Sequence, residues 1–298
     1  MSSEEHTLQT RTMVGIGYAM AGFSIFSVQD AVVKWLVTSL PVWEVLCLRS
    51  SLIVLIGTML AGPRQVAALR HSPNRKALLI RAALILVAWL AYFTASRSLH
   101  LAELVTIYFS TPIFVVVLSI FVLKETVGLV RWSATLVGFA GVVVAAGPKS
   151  LIDPLPIALT LIAALCWAWT NILVRMISQK ETTINMMLTS NGVVMIVSLV
   201  TLPFVWVTPD LTSLLLIGLL GFVGASGQYF MFEGYRLAPA SAVAPFEYMT
   251  LIWAFGWGFL IWGDWPPLAV FEGAGLIMLS GLALIFSESL KSRRLART

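Results

Sequence analysis

Charge is what this chain lacks. Only 11% of its 298 residues are Asp, Glu, Lys or Arg, where a soluble domain carries roughly 25%. Mean hydropathy is +0.92 and 59% of the residues are hydrophobic, an excess that runs end to end. A soluble α/β fold would need period-2 strands separated by polar loops, and neither pattern is present.

Other absences narrow the chemistry. There is no GxxxxGK[ST], so nothing marks a nucleotide-driven pump. There is no HExxH, GxSxG or histidine cluster, which argues against a membrane protease, lipase or metalloenzyme. No TVGYG-like filter is present. The three histidines (His6, His71, His100) are scattered, and the two cysteines (Cys47, Cys166) lie in different apolar runs, as small buried hydrophobes do. The expectations are no cofactor, no metal and no enzyme activity. The N-terminus lacks the basic region and small-residue cleavage site of a signal peptide, so the first apolar run reads as a retained helix.

What is present is a series of ten apolar runs. Each is about the ~20 residues that cross a hydrocarbon core. They cover 13–34, 41–61, 77–97, 101–123, 129–147, 155–177, 184–206, 211–235, 239–262 and 267–287. The lipid bilayer is therefore the first partner. With the N-terminus placed in the cytoplasm, 14 of the 19 Lys and Arg residues fall on cytoplasmic loops and tails, and only Lys34, Arg97 and Lys149 fall opposite; Arg49 and Arg81 lie within spans. This bias predicts both termini inside. It explains a net charge of +5 without nucleic acid.

Sliding the sequence by 139 places Arg97 on Arg236, Phe109 on Tyr248, Thr111 on Thr250 and Glu125 on Asp264. Each half holds five runs, an odd number, so the second half must enter the membrane upside down. Inverted repeats of this kind are a signature of secondary transporters, with the cargo site near midplane between the halves.

Four stretches then resemble the drug/metabolite transporter superfamily and its ten-helix EamA-type carriers: PVWEVLCLRS (41–50), YFTASRSLHLAELVTIYFSTPIF (92–114), LKE (123–125) through LVGFAGVVV (136–144), and FEGYRLAPASAVAPFEYMTLIWAFGWGFLIWGD (232–264) followed by GLIMLSG (275–281). Within that group Gln29-Asp30, Lys34 and FEYMTLIWAF are most like the YddG-type amino-acid exporters. The resemblance implies an all-α membrane protein of ten transmembrane helices in two inverted five-helix repeats, residues 13–147 and 155–287. A tail (1–12), a linker (148–154) and a basic tail (288–298) complete it. It further implies a multi-pass protein of the cell inner membrane, alternating access, and export of amino acids, aromatic and other neutral ones, or related small metabolites. Drugs and phosphorylated or nucleotide sugars are the rival cargoes; a non-transporting receptor or membrane enzyme is the rival class.

The candidate site residues are those too polar for lipid. A charge inside a span is costly and is a functional hypothesis by default. Asp30 and Lys34 are four apart and able to pair on one helix face. Arg49, two turns inside the membrane, needs an acceptor; all three are candidates for gating or charge pairing. Glu247 follows Pro245 in the ninth run, and a proline there bends the helix; its carboxylate suits a cargo ammonium or an exchanged proton. Pro112 kinks the fourth run. Gln29, Trp89, Tyr92, Tyr108, Trp167, Asn171, Gln228, Tyr229 and Tyr248 complete the candidate cargo site, since polar-tipped aromatics with Asn and Gln suit a zwitterion with an apolar side chain. Packing or lipid-facing duty is the alternative for any one of them. Trp43, Trp132, Trp206, Trp262 and Trp265 fit interfacial belts. Gly138, Gly141, Gly275 and Gly281 fit close helix packing.

Overall fold

In a computed structural model of the chain, residues 3–69, 72–123, 129–146, 153–177, 181–237, 246–247 and 249–295 are described. Among them the regular structure is helical. The helices are α1 (Ser3–Ser39), α2 (Val42–Leu69), α3 (Arg75–Ala95), α4 (Leu101–Tyr108), α5 (Thr111–Leu123), α6 (Leu129–Ala146), α7 (Pro154–Ile177), α8 (Thr183–Val205), α9 (Leu211–Leu237), α10 (Met249–Trp262) and α11 (Leu268–Leu295). Seven stretches are long and apolar enough to span a membrane, one of them running through α4 and α5; shorter apolar helices stand in α6, α10 and α11. Together they make ten crossings in a multi-pass membrane protein.

Local sequence sets the ends. Pro154 opens α7, where its missing N–H costs nothing. Thr182 accepts a hydrogen bond from the Asn185 N–H at 3.2 Å and caps α8, and Asp210 accepts from Ser213 N–H at 2.9 Å and caps α9. Gly62, at φ +73, breaks the long α2 at the end of its membrane span. Gly263, at φ +66, ends α10 and turns the chain so that the Asp264 N–H donates back to the Gly258 carbonyl at 3.1 Å. Both φ values lie where only glycine is at ease. Two buried hydroxyls are satisfied locally: Thr106 donates to the Ala102 carbonyl at 2.6 Å and Thr160 to that of Pro156 at 2.8 Å.

The fourth crossing was expected as one kinked helix. The structure divides it: α4 stops at Tyr108 and α5 starts at Thr111, with Pro112 in the first turn of α5. At that place the proline leaves no donor unpaired, so a fresh helix start replaces a bend.

The 139-residue offset reappears in the helix bounds. Shifted by that amount, α5 falls on 250–262 against α10 at Met249–Trp262, and α6 begins at 268, the first residue of α11. Contacts between the halves follow the same two-fold logic: α1 packs on α9 as α3 packs on α7, while α2 meets α8, α4 meets α10 and α6 meets α11. Five crossings per half then make the repeats inverted. The largest buried cluster gathers the C-terminal part of α1 (Val33, Leu36, Val37), α3 (Ala91, Phe93) and α4 (Leu104, Ile107) against α10 (Leu251, Ala254). Large apolar side chains such as Phe204, Phe121 and Leu260 point outward, as lipid contact requires.

Where two helices cross most closely, side chains are missing. A Cβ on Gly141 of α6 would stand 2.7 Å from the Gly273 carbonyl oxygen of α11, and Gly138 faces Ser280 at 3.0 Å. At the α1–α9 crossing, Gly22 lies against the Met231 backbone and Gly234 against that of Ala19. Gly275, by contrast, faces open space: its place in the packing is taken by Gly273.

Candidate functional site

α1, α2 and α3 bring a charged network into the bundle. Arg49 is fully buried. Its Nη2 donates to Gln29 Oε1 at 2.8 Å, and its guanidinium carbon stands 4.2 Å from the centroid of the Trp89 ring, a cation–π arrangement. On its far side lies Gly224 of α9, where a Cβ would sit 3.3 Å from Arg49 Nε. The absent side chain is thus what admits the guanidinium. Asp30 feels the Arg49 charge and meets the Tyr92 hydroxyl. Burying a cation is tolerable only with such partners.

A second group adjoins the first. The Tyr92 and Tyr108 rings meet edge to face at 5.0 Å. Tyr108 stands within electrostatic reach of Asp30, Glu247 and Cys166, so α1, α4, α7 and the residues just before α10 all reach it. Asp30, Tyr108, Cys166 and Glu247 each keep partial exposure. Carboxylates from both halves, phenol rings and a thiol thus share one interior region. It offers negative charge for a cation and π-faces for an apolar or aromatic body.

The pairing of Asp30 with Lys34 expected from their spacing does not form. Lys34 donates to the Leu99 carbonyl at 2.5 Å, lies 5.4 Å from the Trp262 ring, and feels the carboxylates of Asp264 and Glu103. Better partners on α4 and after α10 outcompete the helix neighbour. Glu44 and Arg49 are likewise independent, with Glu44 Oε2 accepting the Val207 N–H at 3.0 Å.

Of the other expected site residues, Gln29 and Trp89 join the Arg49 network. Gln228 is buried and accepts from Asn191 Nδ2 at 3.4 Å, one helix removed. Trp167 is half-buried on α7, while Asn171 and Tyr229 are exposed and stand outside the cluster. Tyr229 packs on Phe230 with centroids 6.1 Å apart. Tyr248, Pro245 and Glu125 lie outside the described residues, while Arg236 falls in the last turn of α9.

Several polar side chains that join one helix to another carry no signal by type alone. Trp253 and Trp257 of α10 stack at 5.7 Å and donate to Ser24 and Ser27 of α1 at 3.1 and 3.2 Å. Their matched i, i+4 and i, i+3 spacings were the only available hint. Arg81 is buried and donates to Ser190 Oγ at 2.8 Å and the Met186 carbonyl at 3.3 Å, tying α3 to α8.

A ten-crossing bundle of inverted halves with charged and aromatic side chains gathered in its interior is the build of a membrane carrier. The description "EamA-like transporter family" matches residues 13–147 and again 154–287, and the chain belongs to that family: it is a membrane transporter of the EamA superfamily. It is 27% identical over 279 residues to an S-adenosylmethionine uptake transporter of Rickettsia conorii, covering 93% of this chain and 94% of that one. It is 26% identical over 275 residues to the pseudopaline exporter CntI of Pseudomonas aeruginosa, covering 91% and 95%. It is 32% identical over 199 residues to a riboflavin transporter of Vibrio cholerae, covering 64% of each. A solved crystal structure shares the fold at a TM-score of 0.64 and 16% identity, over 92% of this chain and 96% of that one. These relatives carry small molecules of several kinds, so the family is fixed more firmly than the amino-acid exporter branch the sequence resembled.

Proposed function

We propose that this protein is a secondary active carrier of the inner membrane, with both termini cytoplasmic, that exports amino acids and amino-acid-derived metabolites by alternating access. The observation that carries this reading is the convergence of Asp30 and Glu247, one carboxylate from each half, on Tyr108. A cargo ammonium placed between them would bind both halves at once, and its release would let them part. Tyr92, Tyr108, Trp89 and Trp167 supply flat apolar walls for the side chain, and Arg49 behind Asp30 answers a carboxylate. Walls that act by dispersion discriminate weakly, so several neutral amino acids, aromatic ones among them, should compete. Glu247 is placed to exchange a proton with the ammonium.

A second cargo is favoured by the relatives whose name is S-adenosylmethionine uptake transporter. That molecule is a methionine derivative with an added cationic centre and an adenine ring, and two carboxylates beside tyrosines suit it as well. Phosphorylated cargo would call for clustered cations, whereas the described interior cations Lys34, Arg49 and Arg81 each stand among different partners rather than together.

Purified carrier in liposomes, assayed for counterflow of labelled tryptophan, methionine, threonine, S-adenosylmethionine and riboflavin, decides among these. Amino-acid flux above empty liposomes, competed by the other amino acids, is the expected result. Flux of riboflavin or S-adenosylmethionine alone would refute the amino-acid assignment. E247Q should flatten the pH dependence of flux; an unchanged profile removes Glu247 as the proton site.

A further inference from the structure

The end of the bundle that carries the α1–α2 and α3–α4 turns is closed by contacts that the cargo region does not use. Lys34 is buried near the end of α1. Its ammonium donates to the Leu99 carbonyl at 2.5 Å and sits 5.4 Å from the Trp262 ring of α10. Asp264, delivered by the Gly263 turn, and Glu103, in the first turn of α4, are the carboxylates acting on its charge. Asp264 also lies 2.8 Å from Nδ1 of His100. Trp35, beside Lys34, meets Trp262 with centroids 6.3 Å apart, and Leu36, Val37 and Ala95 are buried around them.

The physical consequence lies in which half each partner belongs to. Lys34, Leu99, His100 and Glu103 come from the first half, and Trp262 and Asp264 from the second. A buried ammonium is stable only while its partners surround it. Here that shell is complete only when the halves meet. Separating them strips Lys34 of Trp262 and Asp264, and water must take their place. Such an element has two discrete arrangements, dry and closed or wet and open, as alternating access demands.

We propose that Lys34 is the pin of a gate at this end of the carrier, closed in the present conformation by its bridge from α1 to the Trp262–Asp264 end of α10. Releasing it opens the cargo region to that side. That this side is the outer one rests on the orientation proposed above; the gate itself does not depend on it.

Cys166 supplies the reporter, because it keeps partial exposure beside Tyr108. Cys47 is buried and can be replaced by serine. In the C47S background, Cys166 is labelled with a membrane-impermeant maleimide in right-side-out and in inside-out vesicles. K34Q and D264N are each expected to raise the labelling rate from the Lys34 side at least about tenfold, the factor that ~1.4 kcal/mol lost from the closed state produces. Labelling from the opposite face should fall. Rates unchanged on both faces in both variants overturn the gate, and so does an equal rise on both faces, which reports loosened packing. Should K34Q fail to fold, D264N decides alone, since its backbone turn is set by Gly263. Labelling needs no cargo: a carrier that moves none of the tested amino acids yet shows the one-sided shift loses its cargo assignment and keeps its gate.

Discussion

The α6–α11 crossing offers a perturbation whose sign is set by two opposed effects. Replacing Gly141 by alanine should stabilise the isolated helix by ~1 kcal/mol, since glycine is the weaker helix former. In the folded protein, however, the new Cβ would stand 2.7 Å from the Gly273 carbonyl oxygen and 2.9 Å from Ile277 Cγ1. Ordinary contact begins near 3.4 Å, so the helices must part by about 0.7 Å. The obstacle on one side is backbone, which no rotamer change relieves. Overpacking of this kind costs ~1–3 kcal/mol, and lost dispersion along the rest of the crossing adds to it, because membrane helices associate largely by close packing. The net expectation for G141A is a destabilisation of ~1–2 kcal/mol. G273A meets the Gly141 carbonyl and the backbone of Ala145 more closely still and should cost at least as much. The double variant should cost less than the two singles together, since the first substitution has already opened the crossing. Reversible unfolding in mixed micelles measures all three. If G141A and G273A each stabilise the protein by the helix-propensity amount, the close crossing described here is wrong.

R49M should lower stability by ~3 kcal/mol, because Asp30 is left without its nearby cation and Gln29 without its donor, and R49K should recover little, since lysine lacks the fork that reaches Gln29 while lying over Trp89; thermal unfolding within ~0.5 kcal/mol of wild type for R49M would contradict the network. Glu181, in the turn before α8, accepts hydrogen bonds from Ser72, from Asn185 Nδ2 at 3.1 Å and from Asn74 Nδ2 at 3.3 Å. Burial works to raise its pKa, but those three donors outweigh burial and hold it below the ordinary 4.5. Its contribution is therefore present in full above about pH 4.5 and lost as pH falls through the lower folded value. E181Q should flatten the acid limb of the stability–pH curve below that point, and an unchanged limb would show that the latch between the α2–α3 and α7–α8 turns is not formed.

The sequence by itself determined the number of crossings, the helical class and the internal offset. Each rests on a property that a single segment expresses. A run of ~20 apolar residues must be a helix in lipid whatever surrounds it, because no other spanning structure satisfies its backbone. The offset that aligns Arg97 with Arg236 also aligns α5 with α10, since a repeat conserves lengths as well as residues. Family membership followed from the same end-to-end pattern.

Only the tertiary structure decided partners. Helical spacing favoured Asp30 with Lys34, yet each found stronger company on another helix: Asp30 with Tyr92 and Arg49, Lys34 with the Leu99 carbonyl and Trp262. Spacing describes one helix face, whereas a buried charge is satisfied by whichever face is turned toward it. Asn171 and Tyr229 resembled cargo ligands by residue type and are exposed, while Trp253 and Trp257, which residue type did not single out, hydrogen-bond to α1. Gly273 rather than Gly275 makes the close crossing. Residues two positions apart on a helix, as Gly273 and Gly275 are, differ by about 200° in direction, and nothing within a uniformly apolar segment says which direction is inward. The rotation of each helix about its own axis is set by its neighbours, and with it which polar side chains meet.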